Sequence, residues 1–420
     1  MASDLKPMSE ALLTLLGDVR RLPSEKIALS RAAGRVLADA MVARLDVPPF
    51  DNSAMDGYAL HHEDAGKALP VVARIAAGQD APPLKRGSCA RIFTGGEVPP
   101  GADCVVMQEK VDRDGDVATM PDGVPAGNNV RRRGRDVSRG DPLLAAGTRL
   151  DAAALGHLAG QGVTEVEVIR APRVALLSTG DEIVDPGTPL APGQIYNSNR
   201  PMLRSLLERF GAEVIATIRV PDTAPSTERC LRDAATDADL VVSTGGVSVG
   251  EEDHVKAAVE RLGELALWRL AIRPGKPLAL GKLPRGHAQG RDGGNPAEGH
   301  PAEDNGQAHF VGLPGNPVSS FVGAWLFLRP LIGALLGSPE LSELPRVWAN
   351  SGFATSTGPR QHYMRVRLAF SAQGVTAEAF EDQNSGVLSS CIGADAFAVV
   401  PPHSDVAIGD VVECLWLKVP

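Results

Sequence analysis

The sequence predicts a multidomain protein of the α/β plus β class, with one doubly wound parallel-sheet domain and mostly-β domains around it. Three observations lead to this prediction. The chain has 420 residues, more than one hydrophobic core usually organises. Strand and helix signals alternate from Arg173 to Val242, as a parallel sheet requires. Short strand signals between Gly- and Pro-rich turns precede and follow this region.

The charge balance limits the class of partner. The chain has 51 acidic and 42 basic residues, which gives a net charge of −9. A general nucleic-acid-binding protein contacts phosphates through a basic surface. We therefore expect no nucleic-acid partner.

Neither disulfides nor a membrane span are predicted. Five cysteines are scattered without a CxxC pair, which suits a reducing cytosol and excludes a zinc ribbon. No apolar leader segment is visible. The most apolar stretch, Phe321–Gly337, contains Arg329-Pro330 and is shorter than a bilayer span, so we interpret it as a core helix. We expect a cytoplasmic protein with no membrane partner.

Before the alternating region, the sequence predicts helices, irregular loops and short strands. The two helices cover Ser9–Val19 and Ser30–Met41, with Ser30 as the N-cap of the second. The segment DVPPFDNSAMDGY is neither helix-like nor strand-like, and favours either a functional loop or simple turns. The basic segment GNNVRRRGRD either binds an anion such as phosphate or forms a turn exposed to solvent. The predicted strands are Pro70–Ile75, Ser88–Phe93, Cys104–Glu109 and Val163–Ile169.

Three strands of the alternating region end in residues suited to a ligand site. The strand ending at Leu177 leads into STGDE, the one ending at Val220 leads into PD, and the one ending at Val242 leads into STGGVSVGEED. The carboxyl ends of parallel strands meet at one edge of a sheet, so we expect these turns to lie together. The acids that they contribute include Glu182, Asp222 and Asp253.

The chemistry of these turns indicates metal-assisted phosphate chemistry. Glycines let backbone N–H groups approach an anion, because no Cβ stands in the way. Carboxylates beyond them suit a bound cation or a proton transfer. The alternative is a set of tight strand–helix turns followed by acidic first helical turns, which the helix dipole favours.

Two more rigid turns follow along the chain. RPGKP contains Arg273 and Lys276, and its two prolines make the turn stiff. Such a pair of cations can bind an oxyanion. GLPGNPVSS is again a strand end that turns into a helix. Between strands predicted at Pro277–Leu283 and His309–Leu313, the Gly- and Pro-rich segment Pro284–His309 is expected to be a disordered insertion.

The last part of the chain predicts a small β domain. Alternating apolar and polar residues indicate strands at Tyr363–Phe370, Val375–Phe380 and Val411–Lys418. Ser385 lies in a polar loop of this domain, QNSGVLSSC.

Seven motifs in their order resemble the molybdopterin molybdotransferase family of the MoeA type, which is related to the gephyrin E domain. They are FDNSAMDGY, RIFTGGEVPPGAD, GNNVRRRG, STGDE, GGVSVGEED, RPGKP and GLPGNPVSS. The likeness covers nearly the whole chain. It implies the last step of molybdenum cofactor synthesis, in which adenylylated molybdopterin and molybdate react, AMP leaves, and the dithiolene sulfurs bind the metal. It also implies dependence on Mg²⁺.

The resemblance implies an elongated homodimer of four-domain subunits. The active cleft is expected between the α/β domain of one subunit and the irregular β domain of the other. The molybdopterin-adenylylating protein and apo-molybdoenzymes are the implied protein partners. The implied domains are a linker and dimerisation domain (22–42 and 140–170), an irregular β domain (43–139), a molybdopterin-binding α/β domain (1–21 and 171–335, with the insertion at 284–308) and a β-barrel-like domain (336–420).

The resemblance also assigns site residues. Catalytic roles are implied for Asp56, Thr94, Asp136, Glu182, Asp222 and Asp253, and the last three are the candidate Mg²⁺ ligands. Substrate contacts are implied for Ser178, Thr179, Gly180, Gly245, Gly246, Ser248, Gly250, Arg273, Lys276, Pro314, Gly315, Pro317, Arg365 and Ser385. The two glycine turns are expected to hold the phosphate and pyrophosphate of the substrate. Arg135 stands where the family usually has an acid.

Two other functions stay open. A sister activity adenylylates molybdopterin with ATP on a similar domain, but its glycine loop usually runs GGTG before an Arg-Asp pair, whereas this chain has GGVSVG before acids. A gephyrin-like scaffold is the second, although the chain shows neither a fused adenylylating domain nor a long linker. A Rossmann dehydrogenase is disfavoured, because neither glycine loop has the GxGxxG spacing.

Overall fold

The computed structural model describes residues 5–246, 254–286 and 306–418. Three six-stranded sheets form the centres of three folded units in these ranges, and two-stranded sheets complete the β structure. The largest buried cluster joins Trp325 and Phe327 of the α/β unit to Tyr363 and Phe397 of the C-terminal unit. The predicted multidomain α/β plus β class is therefore confirmed.

The first 170 residues contain mostly short strands. In chain order the elements are α1 (Met8–Leu16), β1 (Ser24–Ala28), β2 (Met41–Val42), β3 (Asn52–Ser53), β4 (Gly57–Leu60), β5 (Ala68–Ile75), β6 (Cys89–Ile92), β7 (Cys104–Met107), β8 (Asp112–Asp114), β9 (Val117–Thr119), β10 (Val130–Arg131), β11 (Pro142–Leu144), α2 (Ala152–Gly160) and β12 (Glu165–Ile169). Single 3₁₀ turns occupy Leu29–Arg31, His62–Asp64 and Gln108–Lys110.

A discontinuous unit is formed where the chain leaves and re-enters the irregular β region. β1 pairs antiparallel with β12, so that Ser24 lies opposite Ile169. Helix α2 is capped by Asp151, whose carboxylate accepts a hydrogen bond from the Ala154 N–H at 2.8 Å. The strand pairing holds two segments together that are far apart in the sequence.

The helix predicted over Ser30–Met41 is wrong. Only a 3₁₀ turn forms at its start, and Gly34 has φ of +73°, a left-handed conformation that ends helical geometry. Beyond it the chain is extended, and the N–H of Leu37 donates to the carbonyl of Thr148 at 2.9 Å. Burial of Val36 and Leu37 in two different clusters favours this extended path over a helix.

The irregular β region is built around one mixed sheet with the order β7-β4-β6-β5-β9-β8, beside the antiparallel pair of β3 and β10. Its pairs are antiparallel except for β5 with β6, which are parallel. The prediction of a small β domain is confirmed, and the three predicted strands differ from the observed ones by no more than two residues at either end.

The α/β region contains alternating strands and helices as predicted. Its elements are β13 (Arg173–Thr179), β14 (Ile183–Val184), β15 (Ile195–Tyr196), α3 (Asn199–Arg209), β16 (Glu213–Val220), α4 (Ala224–Asp237), β17 (Leu240–Thr244), α5 (His254–Leu262), β18 (Glu264–Arg269), β19 (Ile272–Arg273), β20 (Pro277–Pro284) and β21 (Gln307–Leu313). The sheet order is β16-β13-β17-β21-β20-β18. The first four strands are parallel, and β20 runs antiparallel to both of its neighbours.

The antiparallel pair of β20 and β21 is longer than the sequence indicates. Its register continues to Pro284 opposite Gln307, inside the segment predicted as a disordered insertion. Hydrogen bonds between the two strands stabilise these strand ends. Such pairing joins distant residues and cannot be predicted from local composition. The part of that prediction covering residues 287–305 lies outside the described residues.

The apolar stretch that was predicted as a core helix forms one helix of 20 residues, Pro317–Leu336. It consists of α6 (Pro317–Gly323), a π-helical turn (Ala324–Leu328) and α7 (Arg329–Leu336). Pro330 does not interrupt it, because the wider turn just before accommodates the missing hydrogen bond. By length and composition this helix could cross a membrane, but 89% of its apolar window is buried inside the protein.

The C-terminal unit is a closed barrel. Its elements are α8 (Pro339–Ser342), β22 (Arg346–Ser351), β23 (Thr355–Ser356), β24 (Gln361–Ser371), β25 (Gly374–Ala379), α9 (Ser389–Ile392), β26 (Ala396–Val400), β27 (Asp405–Val406) and β28 (Val411–Trp416). The order β24-β25-β22-β28-β26 closes through a pairing of β26 with β24. Strand β19 adds to β24 in parallel, which attaches the barrel to the α/β unit beside RPGKP.

Candidate active site

Four parallel strands end side by side at one edge of the α/β sheet. Ser178 of β13 lies opposite Thr244 of β17, and Thr244 lies opposite Leu313 of β21. On the other side of β13, Thr179 lies opposite Val220 of β16. The two Ser-Thr-Gly tripeptides are therefore neighbours, and the turns after all four strands face the same edge, as the sequence predicted for three of them.

A cavity of about 860 Å³ opens at this edge, between the strand ends and the C-terminal barrel. It has the size of a small-molecule site. The residues predicted to form the site that line this cavity are Thr179, Gly180, Glu182, Asp222, Gly245, Gly246, Arg273, Lys276, Pro314, Gly315 and Ser385. The structure thus brings together residues from both the α/β and the C-terminal units.

The glycine turn after β17 forms the floor of the cavity. Gly245 and Gly246 have φ of +85° and +67°, which side-chain-bearing residues rarely adopt. A Cβ on Gly245 would lie only 2.7 Å from Oγ1 of Thr179. The backbone there is open to a ligand only because no side chain is present. Ser248, Gly250 and Asp253, which were predicted to continue this turn, lie outside the described residues.

Two carboxylates form one wall of the cavity. Glu182 follows β13 and Asp222 follows β16, and both are exposed at the strand ends. Neither has an ion-pair partner among the residues that the structure describes, so both are available to a bound cation. Carboxylate oxygens are the ligands that Mg²⁺ prefers, and these two acids fit that requirement.

Three cationic side chains also line the cavity, and together they are called its cationic wall. Arg273, Lys276 and Arg360 line the cavity, and within the described ranges none of the three forms an ion pair. The pKa of His362 is lowered, first by burial and then by the nearby guanidinium groups of Arg273 and Arg360. An uncompensated cationic wall favours a bound oxyanion.

Arg365 supports the cavity from behind and does not line it. Its side chain is 1% exposed. The guanidinium donates to the carbonyls of Gln383 at 3.1 Å, and of Asp382 and Asn384 at 3.2 Å, and to Oγ of Ser390 at 3.0 Å. Because Gln383 and Asn384 line the cavity, Arg365 acts through the loop that it holds. Its predicted substrate contact stays a prediction.

Two more predicted contact residues lie next to the cavity but do not line it. Ser178 is 1% exposed inside β13, which runs two residues further than predicted, and its hydroxyl has no hydrogen-bond partner in the described part of the chain. Pro317 is the first residue of α6, where its fixed φ suits a helix start. The helix start is tied to the C-terminal loop, because the Val318 N–H donates to the carbonyl of Ser385 at 3.1 Å.

The remaining predicted residues lie in other units. Asp56 accepts hydrogen bonds from the N–H and the hydroxyl of Thr94, both at 2.8 Å, and these hold the pKa of Asp56 below its usual range. Neither residue lines the strand-end cavity. Asp136 is exposed and lines a second cavity of about 630 Å³, together with Arg149 and His157.

Two of the four arginines in the basic segment GNNVRRRGRD form ion pairs within the protein. Arg132 forms an ion pair with Asp51 at 2.6 Å, and Arg133 pairs with Asp46. The structural interpretation of this segment is therefore favoured for these two arginines. Arg135 is exposed and has no ion pair among the described residues.

Three family models match the chain in order. They are the MoeA N-terminal region (domain I and II) over residues 6–162, the probable molybdopterin binding domain over residues 175–334, and the MoeA C-terminal region (domain IV) over residues 353–417. The molybdopterin molybdenumtransferase of Haemophilus influenzae is 36% identical over 399 residues, which cover 93% of each chain. The chain belongs to this family. The resemblance stated from seven motifs is confirmed.

Other members of the molybdopterin molybdenumtransferase family extend the comparison. The protein of that name from Nostoc sp. is 38% identical over 323 residues, covering 75% of this chain and 70% of that one. Among solved structures, the molybdopterin biosynthesis moeA protein from Pyrococcus horikoshii OT3 superposes with a TM-score of 0.79 at 27% identity, covering 99% of this chain and 100% of that one. The likeness extends over all the units described above.

Among the residues that the sequence analysis of this molybdopterin molybdenumtransferase family member missed are one that lines the cavity and one that supports it. Arg360 follows a Gly-Pro turn at the start of β24 and lines the cationic wall. Asn199, at the start of α3, donates from Nδ2 to the carbonyl of Gly315 at 2.7 Å and so fixes the PGNP turn. Arg360 could have been predicted, because it is a basic residue in a rigid Gly-Pro turn. No local sequence pattern indicates the role of Asn199.

Proposed function

We propose that this chain is a molybdenum insertase. In the proposed reaction, molybdate reacts with adenylylated molybdopterin, the bond to AMP is broken, AMP leaves, and the dithiolene receives the metal. The observation that carries the proposal is the cavity, because it is lined both by carboxylates that follow parallel strands, Glu182 and Asp222, and by the cations Arg273, Lys276 and Arg360. Membership of the molybdopterin molybdenumtransferase family supports it.

The cationic wall is proposed to bind molybdate. Arg273, Lys276 and Arg360 offer N–H donors and positive charge to its oxygens. Arg365 holds the loop that contains Ser385 through hydrogen bonds to its carbonyls, and so keeps this uncharged part of the cavity lining in place. These residues bind and orient the oxyanion before the bond to AMP breaks.

The floor of the cavity is proposed to bind the phosphate and pyrophosphate of the substrate. Gly180 and Gly246 both have positive φ, and both line the cavity. The N–H of Gly245 between these turns is already bonded to the carbonyl of Leu313. Backbone N–H groups without a neighbouring side chain can approach phosphate oxygens closely. The proposed position of the pyrophosphate is therefore in the same cavity as the oxyanion.

Mg²⁺ is the proposed cofactor, with Glu182 and Asp222 as its ligands from the described residues. When bound, the ion neutralises the negative charge that develops on the departing AMP. Asp253 was predicted as a third ligand, and that role stays a prediction. The two carboxylates also exclude free anions from this side of the cavity when no ion is present.

We further propose that the protein works as a homodimer. Asp56 and Thr94 do not line the cavity formed by their own chain, although both belong to motifs that resemble the family's active-site motifs. A second subunit supplying them to the cavity reconciles the two facts. The cytoplasmic location and the partner proteins stay predictions from the sequence.

AMP release tests the proposed function. Purified protein with Mg²⁺ and adenylylated molybdopterin is expected to release AMP faster when molybdate is present. Replacing Asp222 by Asn is expected to reduce the rate about a hundredfold or more, because one group that stabilises developing charge is lost. The matched control is Glu213→Gln, at the opposite end of the same strand, which should leave the rate within about twofold of the native enzyme.

The outcomes separate the candidate functions. Molybdate-stimulated AMP release that yields a cofactor able to activate an apo-molybdoenzyme supports the insertase. Adenylylation of molybdopterin from ATP, without stimulated release, identifies the sister activity instead. If neither reaction occurs, a scaffold or binding role replaces both. If Asp222→Asn and Glu213→Gln are equally active, the site assignment is wrong.

A further inference from the structure

A cluster of two histidines and an aspartate lies in the irregular β unit, apart from the strand-end cavity. His61 and His62 directly follow β4, and Asp103 directly precedes β7. β4 and β7 are paired, with Leu60 opposite Cys104. The strand register therefore places the three side chains together, although 41 positions separate His62 from Asp103.

The ligand atoms of this cluster are close enough to share one ion. Nδ1 of His62 lies 2.5 Å from Oδ2 of Asp103, and Nε2 of His61 lies 3.7 Å from the same oxygen. One ligand atom from each of the three residues lies within 4.8 Å of the other two. Ligands about 2.1 Å from a shared zinc ion stand roughly 3–4 Å apart, so the His61–Asp103 separation already fits and the His62–Asp103 contact has to lengthen.

The cluster is ordered before any ion binds. The two imidazole rings are stacked, with centroids 4.8 Å apart and planes inclined by 25°. Oδ1 of Asp103 accepts a hydrogen bond from the His62 N–H at 2.7 Å, and the Asp103 carbonyl accepts one from the Gly127 N–H at 2.7 Å. Each side chain is partly buried, between one quarter and two fifths exposed. Such outer hydrogen bonds orient metal ligands.

The donor types select the class of ion. Cys104 is not a fourth ligand, because it is fully buried and its Sγ donates to the Leu60 carbonyl at 3.4 Å. Two imidazoles and one carboxylate suit a divalent transition metal and are poor ligands for Mg²⁺ or Ca²⁺.

We propose that His61, His62 and Asp103 form a binding site for a divalent transition-metal ion of the Zn²⁺ class, with its remaining position open to water. Coordination through Nε2 of His61 leaves the ring proton on Nδ1, so the long contact of the Glu63 N–H with that nitrogen, at 3.3 Å, is given up. The ion ties the end of β4 to the start of β7. Because it binds the folded unit, it stabilises that unit by mass action.

Metal binding to the full-length chain tests this proposal without any substrate. Co²⁺ reports the site, because a four-coordinate His/Asp environment gives it intense visible absorption. One equivalent of Co²⁺ should develop this absorption, and Zn²⁺ should abolish it by displacement. In the double variant His61→Ala/His62→Ala the absorption should be lost, and Asp103→Asn should weaken binding at least tenfold.

A matched variant controls for the other histidines of the chain. His287→Ala/His300→Ala removes two histidines from the segment between β20 and β21 and should keep the Co²⁺ absorption unchanged. Absorption that disappears in this control but persists in His61→Ala/His62→Ala would show an adventitious ion only. If no variant and no native sample binds Co²⁺ or Zn²⁺, the cluster is a hydrogen-bonded His–Asp pair and the proposal is wrong.

The design separates misfolding from loss of ligands. Asp103→Asn keeps the volume of the side chain and can still accept the His62 N–H hydrogen bond, so it should fold even if the double alanine variant does not. Its circular dichroism spectrum should match that of the native chain. The result is independent of the proposed insertase, since AMP release plays no part in the measurement.

Discussion

Gly245 shows how one residue sets the floor of the cavity. Its positive φ lets β17 leave the sheet directly after Thr244, and its missing side chain keeps the backbone open. The N–H of Gly245 donates to the carbonyl of Leu313 at 3.1 Å, which ties the turn to the neighbouring strand end. A side chain at this position is disfavoured for two reasons. The positive φ would be strained, and the Cβ would overlap Oγ1 of Thr179.

Gly245→Ala is therefore expected to impair the cavity. The strain of about 1–3 kcal/mol should displace the turn and reduce AMP release roughly tenfold or more. The matched control is Gly187→Ala, which has a φ of +98° but no atom within 4 Å of the added Cβ. Steady-state kinetics and urea denaturation of both variants check this. Equal losses of activity in the two would show that contact with Thr179 is irrelevant.

At the scale of elements, the cavity depends on connections between the α/β sheet and the barrel. β19 pairs with β24, and the start of α6 is bonded to the loop that contains Ser385. Arg365, within β24, fixes the other end of this loop through several carbonyls. The wall formed by the C-terminal unit is thus held by backbone groups and one buried guanidinium.

Replacing Arg365 by Gln is expected to loosen this wall. Several carbonyls lose a charged donor, which should lower the free energy of unfolding by about 3 kcal/mol. The KM for molybdate should rise roughly tenfold because the loop is less ordered. The control is Arg367→Gln, two residues along the same strand but exposed, where less than about 0.5 kcal/mol is expected. A variant with normal KM but low stability would assign Arg365 a purely structural role.

At the scale of the whole molecule, the predicted catalytic residues are divided between units. Glu182 and Asp222 line the cavity of the α/β unit, whereas Asp56 and Thr94 form a hydrogen-bonded pair in the irregular β unit. If a complete site requires both sets, two chains must contribute, and each dimer then has two sites. Such shared sites can be detected by mixing defective subunits.

Complementation between two inactive variants tests the shared site. Asp56→Asn and Asp222→Asn are expected to be nearly inactive alone. After denaturation and refolding together, random pairing gives half heterodimers with one intact site each, so about one quarter of the native AMP release should return. Separately refolded variants, mixed only afterwards, serve as the control. Absence of recovery, with dimers demonstrated by light scattering, would place the complete site within one chain.

Predictions of elements succeeded where local pattern and tertiary contacts agree. The strands that end at the cavity were predicted to within two residues because their apolar runs are also buried, fully in β13 and β17 and partly in β16. The helix predicted at Ser30–Met41 failed because Gly34 and pairing with distant residues outweigh helical propensity. Likewise, a proline that should end a helix is accommodated by a π-helical turn within Pro317–Leu336.

The sequence by itself determined the fold class, the family and most of the cavity residues. These properties depend on residue type and spacing: glycines where the backbone must stay open, acids after strands, and basic residues in rigid turns. They can be recognised without coordinates because parallel strands must end at a common edge.

Only the tertiary structure decided how distant segments contact each other. It buried Arg365 behind the wall, turned Ser178 into the sheet, added Arg360 to the cationic side and brought His61 close to Asp103. Each of these outcomes depends on strand register and domain packing, which are set by contacts between residues far apart in the chain. Local sequence patterns do not encode such contacts, because the favourable energy appears only when the partners meet.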